Sequence, residues 1–149
     1  MSTLTRLMAI IPALAVILAS AAPAATQAKP PRDPAMIQRK LQRSADLQRQ
    51  TLQALGDRER AEKLVASAYS ELKSANDDMV LNKKNTKFPD PLFPANIRRL
   101  DQALDLVLVA WDVLKARDKW TGDEGQVQRV RTNLEQAIRL TSTAAASTF

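Results

Sequence analysis

The most apolar stretch of the chain lies at residues 97–114, IRRLDQALDLVLVAWDVL. Projected at 100° per residue, its apolar side chains form one broad helical face. That face comprises Ile97, Leu100, Leu104, Val107, Leu108, Trp111 and Leu114, and it is widened by Leu106, Val109, Ala110 and Val113. The polar residues left over form only a narrow stripe. A helix this apolar needs cover from other helices on several sides. The pattern therefore predicts a helix at the centre of a bundle, running from Pro94 to about Asp118.

Two other segments repeat apolar residues at helical spacing. One predicts a helix from Asp57 to about Leu81, with Ala61, Leu64, Val65, Ala68, Leu72, Ala75 and Met79 on one face. The other predicts a helix from about Gly122 to Thr141, opened by a capping-box pattern at Thr121–Glu124. Helices of 20–25 residues are about 30–37 Å long. Their matched lengths favour an antiparallel bundle.

A fourth helical segment begins at Asp33-Pro34, where Asp suits the N-cap and Pro the first helical position. Its apolar stripe is thin, and glutamines fill much of the remaining surface. Gly56-Asp57 offers too few residues for a helical hairpin, which usually needs about 2–5. The prediction is therefore an all-α, antiparallel three- to four-helix bundle with a long first helix from Asp33 to about Leu81, with or without a kink at Gly56. Residues 33–55 either dock on the bundle or project from it.

The remaining segments complete the predicted organisation. Asn82–Phe93 is a loop, since Pro89 and Pro91 exclude helix and Pro94 suits the first turn that follows. We divide the chain into a signal peptide at 1–28, a basic Gln-rich helical arm at 29–55, a helical bundle at 56–142 and a flexible tail at 143–149.

The first 28 residues have the pattern of a secretory signal. Arg6 is followed by an apolar run at Leu7–Leu18 and a small-residue stretch that favours cleavage after Ala28. The run is interrupted by Pro12 and is short for a membrane span of about 20 residues, which disfavours an uncleaved anchor. We therefore expect an exported protein, periplasmic or extracellular, with no transmembrane segment in the mature chain.

The sequence contains no cysteine and no histidine. This excludes disulfides, histidine-based acid–base catalysis, conventional haem ligation and almost all zinc and copper sites. The carboxylates Asp101, Asp105 and Asp112 are expected to form a solvated stripe facing Arg129 and Arg131. We predict no catalytic residue, no cofactor and no metal site, so the protein is not expected to be an enzyme. An enzyme would have to rely on Asp, Glu, Lys, Tyr69 or Ser.

The net charge of +6 is concentrated in two places. Residues 29–55 hold six basic and two acidic side chains, and residues 83–99 hold five basic and one acidic. Clustered basic charge favours an anionic partner, and Phe beside Pro and Lys is typical of a docking loop. The candidate partner-binding residues are Lys83, Lys84, Lys87, Phe88, Phe93, Arg39, Lys40 and Arg43. The alternative is that these lysines and arginines are ordinary surface charge and that the two phenylalanines cap the bundle.

These patterns predict a binding or accessory protein of the cell envelope without catalytic activity, acting through the basic arm and the Lys/Phe/Pro loop. The expected partner is a protein or an anionic envelope component, such as lipopolysaccharide or a phospholipid surface. Nucleic acid is not expected, because no aromatic residues alternate with the basic residues of the arm. The alternative function is a structural, homo-oligomeric envelope protein that assembles through the first helix.

Overall fold

The computed structural model describes residues 32–84 and 93–147, with the backbone but not the side chain of Phe93. The predicted signal peptide, Lys87 and Phe88 lie outside the described residues. The described residues belong to one compact unit. No helix in the described part of the chain is both long enough and apolar enough to cross a bilayer.

The described residues form helices only, which confirms the all-α bundle. Four long helices are joined in sequence, with a 3₁₀ turn at Arg117–Lys119 before the last one. They are α1 (Pro34–Gln53), α2 (Arg58–Lys84), α3 (Phe93–Lys115) and α4 (Glu124–Ser147). Each helix packs against the next, and α4 closes the bundle by packing against α1. Cross-helix contacts run antiparallel: Ser44 of α1 meets Ala68 of α2, and Gln38 of α1 meets Ala145 of α4.

The prediction of one long first helix is wrong, because the chain reverses at residues 54–57. The Ala54 N–H donates to the carbonyls of Gln50 and Thr51, which closes α1. The Asp57 N–H then donates to the Ala54 carbonyl at 2.9 Å, and the Asp57 carboxylate accepts from the Arg60 N–H at the start of α2. Leu55 turns into the core and is only 8% exposed. The reversal therefore takes four residues, and burial of Leu55 and of the α1 stripe outweighs the cost of ending the helix.

Docking of α1 explains its thin apolar stripe, because polar residues complete its buried face. Ser44, Gln48 and Thr51 are fully buried along with Thr141 of α4. The Gln48 amide nitrogen donates to the hydroxyls of Ser44 at 3.2 Å and Thr141 at 3.3 Å. Those hydroxyls donate in turn to the carbonyls of Ala68 and Ala137. Of the two alternatives that the sequence left open for residues 33–55, docking is the one observed.

The central helix α3 buries a narrower seam than its apolar pattern predicts. Its fully buried residues follow a 3–4 repeat: Leu100, Ala103, Val107, Ala110 and Leu114. Leu108 is 37% exposed. Trp111, expected in the core, is half-buried beside Tyr69, with ring centroids 5.7 Å apart, and Lys115 lies over it. The seam is narrow because α3 packs closely against α2 and α4 only.

The start of α4 is capped two residues later than predicted. The Gln126 N–H donates to the Asp123 carboxylate at 2.8 Å, and the Gln126 side chain accepts from the N–H groups of Thr121 and Gly122. These reciprocal hydrogen bonds resemble those of a capping box, and they lie at Asp123–Gln126 rather than at the predicted Thr121–Glu124. Gly122 supplies the turn with a φ of 70°.

The end of α4 also differs from the prediction of a flexible tail over 143–149. The helix continues to Ser147, and Ala145 is 6% exposed against the core. The small side chains of Ala144 and Ala145 are buried in the core. Trp120 is half-buried and packs against the core at the junction of α3 and α4.

Candidate binding surface at one end of the bundle

One end of the bundle gathers the start of α1, the end of α2, the start of α3 and the end of α4; we call it the open end. The Asn82 side chain fixes Arg32 there by two hydrogen bonds. Its oxygen accepts from the Arg32 N–H at 2.8 Å, and its nitrogen donates to the Arg32 carbonyl at 2.9 Å. On the other side of this end, the Ser147 hydroxyl donates to the Asn96 side chain at 3.1 Å.

Four exposed cations lie on α1, α2 and α3 toward the open end: Arg39, Lys83, Lys84 and Arg98. None of them forms an ion pair with another described residue. We call this group the basic surface. Its members come from basic stretches that lie more than 40 residues apart in the sequence, and the antiparallel α1–α2 hairpin brings both stretches to the same end of the bundle.

The acidic residues near the basic surface already have partners. Lys40 donates to the Asp78 carboxylate at 2.6 Å and to the Ser74 hydroxyl at 2.9 Å, and Arg32 lies 3.6 Å from the same carboxylate. The others are engaged too: Asp33 accepts from the Ala35 N–H, Asp77 pairs with Lys73 and Asp101 accepts from Asn76. Asp77 and Asp78 are thus paired with other cations, whereas Asp33 and Asp101 accept from neutral donors and keep their negative charge.

The site residues predicted from the sequence separate into three groups: exposed residues without an ion pair, residues paired with a carboxylate of α2, and residues outside the described part of the chain. Arg39, Lys83 and Lys84 are exposed at the open end. Lys40 is instead a structural residue, since its ammonium is held by Asp78 on α2. Arg43 is exposed but lies 3.6 Å from Glu71 of α2. The remaining three, Lys87, Phe88 and the side chain of Phe93, lie outside the described residues.

Polar residues beneath this surface escaped the sequence analysis. Asn82 is 4% exposed and Asn96 is fully buried. The Asn96 side-chain oxygen accepts from the Arg99 guanidinium at 2.7 Å, which holds Arg99 close to the helix beside the exposed Arg98. The Arg98-Arg99 pair directly after the proline-rich loop was the available signal. The buried asparagines had none, because an Asn in a helix pattern reads as surface.

The opposite end of the bundle carries charges of both signs, and its exposed Arg60, Arg117 and Lys119 form no ion pair with another described residue. Arg58 donates to the Glu62 carboxylate at 2.9 Å and to the Leu114 carbonyl at 2.8 Å. A surface groove of about 550 Å³ lies between α3 and α4 here, with Val109, Val113 and Ala116 among its lining residues. Its rim includes both acidic and basic side chains, Asp112, Asp123, Lys119 and Arg129.

The carboxylates of α3 are separated rather than gathered into a site. Asp101 and Asp105 are exposed, and Asp112 pairs with Lys115 one turn along the helix at 3.3 Å. The predicted contacts with Arg129 and Arg131 do not form ion pairs within the described residues. Nor does that part of the chain contain a group of three Asp, Glu, His or Cys able to hold a metal ion.

One carboxylate has a clearly displaced pKa. The Gln126 backbone N–H, and then the Thr121 hydroxyl, donate to Asp123 and hold the pKa of that exposed carboxyl below its ordinary value of 3.8. Its function is to cap α4, because the ionised form is the one that accepts these bonds.

Comparison with known proteins gives no family assignment: no protein-family model, curated protein or solved structure matches the chain. The open end must therefore be interpreted from its own chemistry.

Proposed function

We propose that the protein is an exported binding or accessory protein of the cell envelope, without catalytic activity, and that it binds an anionic partner through its open end. The observation that carries this proposal is the basic surface: Arg39, Lys83, Lys84 and Arg98 are exposed with no ion pair among the described residues. Export rests on the signal-like pattern of the first 28 residues. Lys87 and Phe88, which follow Lys84 closely in the sequence, stay predicted partner-binding residues outside the described part of the chain.

Unpaired cations favour a partner of opposite charge more than paired cations do. A paired lysine has a carboxylate within about 4 Å that cancels most of its field, whereas an unpaired one attracts anions over about a Debye length, roughly 8 Å at physiological salt. Several such cations on one surface act together, so binding should be sensitive to ionic strength.

The alternative function is oligomerisation through the first helix, which would need the apolar stripe of α1 to be available to a second copy of the chain. Ile37 and Leu41 of the apolar stripe of α1 are fully buried within the bundle, and Ala45 is 3% exposed. The outward face of α1 carries mainly Gln, Arg and Asp. A second copy would find little apolar area there to bury.

Retention on a heparin column, measured across a salt gradient, tests the proposal. The chain from residue 29 is used, because every core side chain that is buried among the described residues lies between residues 37 and 145. We expect K83E/K84E to elute at markedly lower salt than the wild type. The matched control is R60E/R117E, which makes the same change in charge at two exposed residues of the opposite end. Equal elution of the two variants would reject the open end as the anion-binding surface.

A further inference from the structure

We infer that the bundle opens at the interface between α1 and α4. In this opening the α1–α2 hairpin separates from the α3–α4 hairpin along one side, and all four helices stay folded. Three features of the α1–α4 interface support the inference: long hydrogen bonds, a buried oxygen without a donor, and small apolar side chains. The inference goes beyond the proposed function and does not depend on it, because Arg39, Lys83 and Lys84 all lie on the α1–α2 hairpin.

The hydrogen bonds that cross the α1–α4 interface are long. Three of them measure 3.3 Å each: Gln38 to the Ala145 carbonyl, Gln48 to the Thr141 hydroxyl, and Arg49 to the Ser142 hydroxyl. The usual N–H···O range ends at about 3.2 Å, so these are weak hydrogen bonds. No ion pair joins α1 to α4 in the described part of the chain.

The contacts between α1 and α2 are shorter and include charged groups. Lys40 lies 2.6 Å from the Asp78 carboxylate, and the Ser44 hydroxyl donates to the Ala68 carbonyl at 2.7 Å. Hydrogen bonds that involve a charged group are stronger than neutral ones. We therefore expect α1 to stay with α2 when the α1–α4 interface opens.

The contact between α2 and α3 joins the two hairpins on the other side of the bundle. Asn76 of α2 donates to the Asp101 carboxylate of α3 at 2.9 Å. The rings of Tyr69 and Trp111 also meet across this contact, with their centroids 5.7 Å apart. These interactions make the α2–α3 contact the hinge about which the hairpins separate.

Gln48 lowers the cost of opening. It is fully buried, and its amide oxygen has no hydrogen-bond donor among the described residues. A buried acceptor without a donor has lost its hydration and gained nothing in exchange. Water can donate to this oxygen once the interface opens, so opening recovers free energy that the closed bundle loses.

The apolar side chains at the α1–α4 interface are small. Ala45 of α1 and Ala145 of α4 line a surface groove of about 390 Å³ between the two helices, and they are 3% and 6% exposed. The free energy gained by burial grows with the apolar area buried. Alanines therefore hold α1 and α4 together less firmly than leucines or valines would.

Reaction of single buried cysteines with a maleimide measures where the bundle opens, because the chain has no cysteine of its own. The test uses residues 29–149. Thr141→Cys and Gln48→Cys report on the two sides of the α1–α4 interface, and Ala68→Cys is the control beside the contact of α1 with α2. All three positions are fully buried.

We expect the thiols at residues 141 and 48 to react about tenfold or more faster than global unfolding of the same variant allows. Their rates should depend only weakly on urea, because a local opening exposes less surface than unfolding does. The thiol at residue 68 should react at the rate set by global unfolding. Urea unfolding and circular dichroism of each variant supply its stability and check that the bundle is intact.

A second substitution tests the part played by the buried oxygen. In the Thr141→Cys chain, Gln48→Met removes that oxygen and should slow the reaction of the thiol about fivefold. Gln50→Met, at an exposed position of the same helix, should leave the rate unchanged.

The outcomes are separate from those of the proposed function. Reaction at residues 141 and 48 only as fast as global unfolding allows would overturn the inference. Equally fast reaction at residue 68 would also overturn it, because the opening would not be confined to the α1–α4 interface. Neither result bears on heparin retention, which tests the anion-binding surface.

Discussion

Gln48 shows how a polar residue can be part of the core of this bundle. Its amide nitrogen must face Ser44 and Thr141, because both hydroxyls use their protons on backbone carbonyls and offer only lone pairs. The amide oxygen is then left buried, without a hydrogen-bond donor among the described residues. A buried acceptor in this condition costs about 1–3 kcal/mol of stability.

We therefore expect Gln48→Met to raise the free energy of unfolding by about 1 kcal/mol. Methionine has a similar length, and Ser44 and Thr141 keep their carbonyl acceptors. Urea unfolding measures the change, and Gln50→Met at a neighbouring exposed position is the control, with an expected change within about 0.5 kcal/mol. Destabilisation by Gln48→Met but not by Gln50→Met would mean that the buried oxygen has a partner.

Asp123 makes the stability of the folded bundle depend on pH, and the direction of its pKa shift sets the sign of that dependence. Its carboxylate accepts bonds only in the folded state, which lowers its pKa below 3.8. The cap therefore stabilises the protein above that pH, and its contribution is lost as the pH falls through the lower, folded value.

We expect the stability difference between the wild type and Asp123→Ala to be constant near neutral pH and to shrink at acidic pH. Urea unfolding at a series of pH values measures it. Asp118→Ala removes a nearby exposed carboxylate and controls for net charge. A difference that grows as the pH falls would contradict the role assigned to the ionised cap.

At the scale of helices, the sequence predicts how many residues are helical better than it predicts where the chain turns. The apolar repeats of α2, α3 and α4 predict these three helices, because the repeats follow helical spacing over five or more turns. The α1–α2 hairpin was not, because the turn uses Leu55, which extends the apolar pattern of α1 while its backbone leaves the helix. An apolar residue that packs into the core extends the sequence pattern in the same way whether it lies in the helix or in the turn that ends the helix.

Two glycines at helix junctions should respond oppositely to alanine. Gly56 has no neighbour within 4 Å of an added Cβ and is not among the positive-φ residues. Gly56→Ala should therefore stabilise by about 0.4–1 kcal/mol through the unfolded state. Gly122 has a φ of 70°, so Gly122→Ala should destabilise by about 1–2 kcal/mol. Thermal and urea unfolding of the two variants provide the comparison, and a loss of stability in Gly56→Ala would show that the turn needs glycine.

For the molecule as a whole, the sequence located the basic residues but not their arrangement. The sequence places one cluster of basic residues before residue 55 and another after residue 82, and by itself it indicates two separate candidate sites. Only antiparallel folding of α1 on α2 brings Arg39 to the same end as Lys83 and Lys84. The same folding places Lys40 against Asp78, which removes it from the binding surface. Neither outcome follows from local pattern, since both depend on which helices become neighbours.

The proposed function requires that these two stretches act as one binding surface. Isothermal titration of residues 29–149 with a short sulfated oligosaccharide measures both affinity and stoichiometry. We expect a single site per chain, weakened without change of stoichiometry by either Arg39→Glu or K83E/K84E. Two sites per chain, with one lost in each variant, would contradict it.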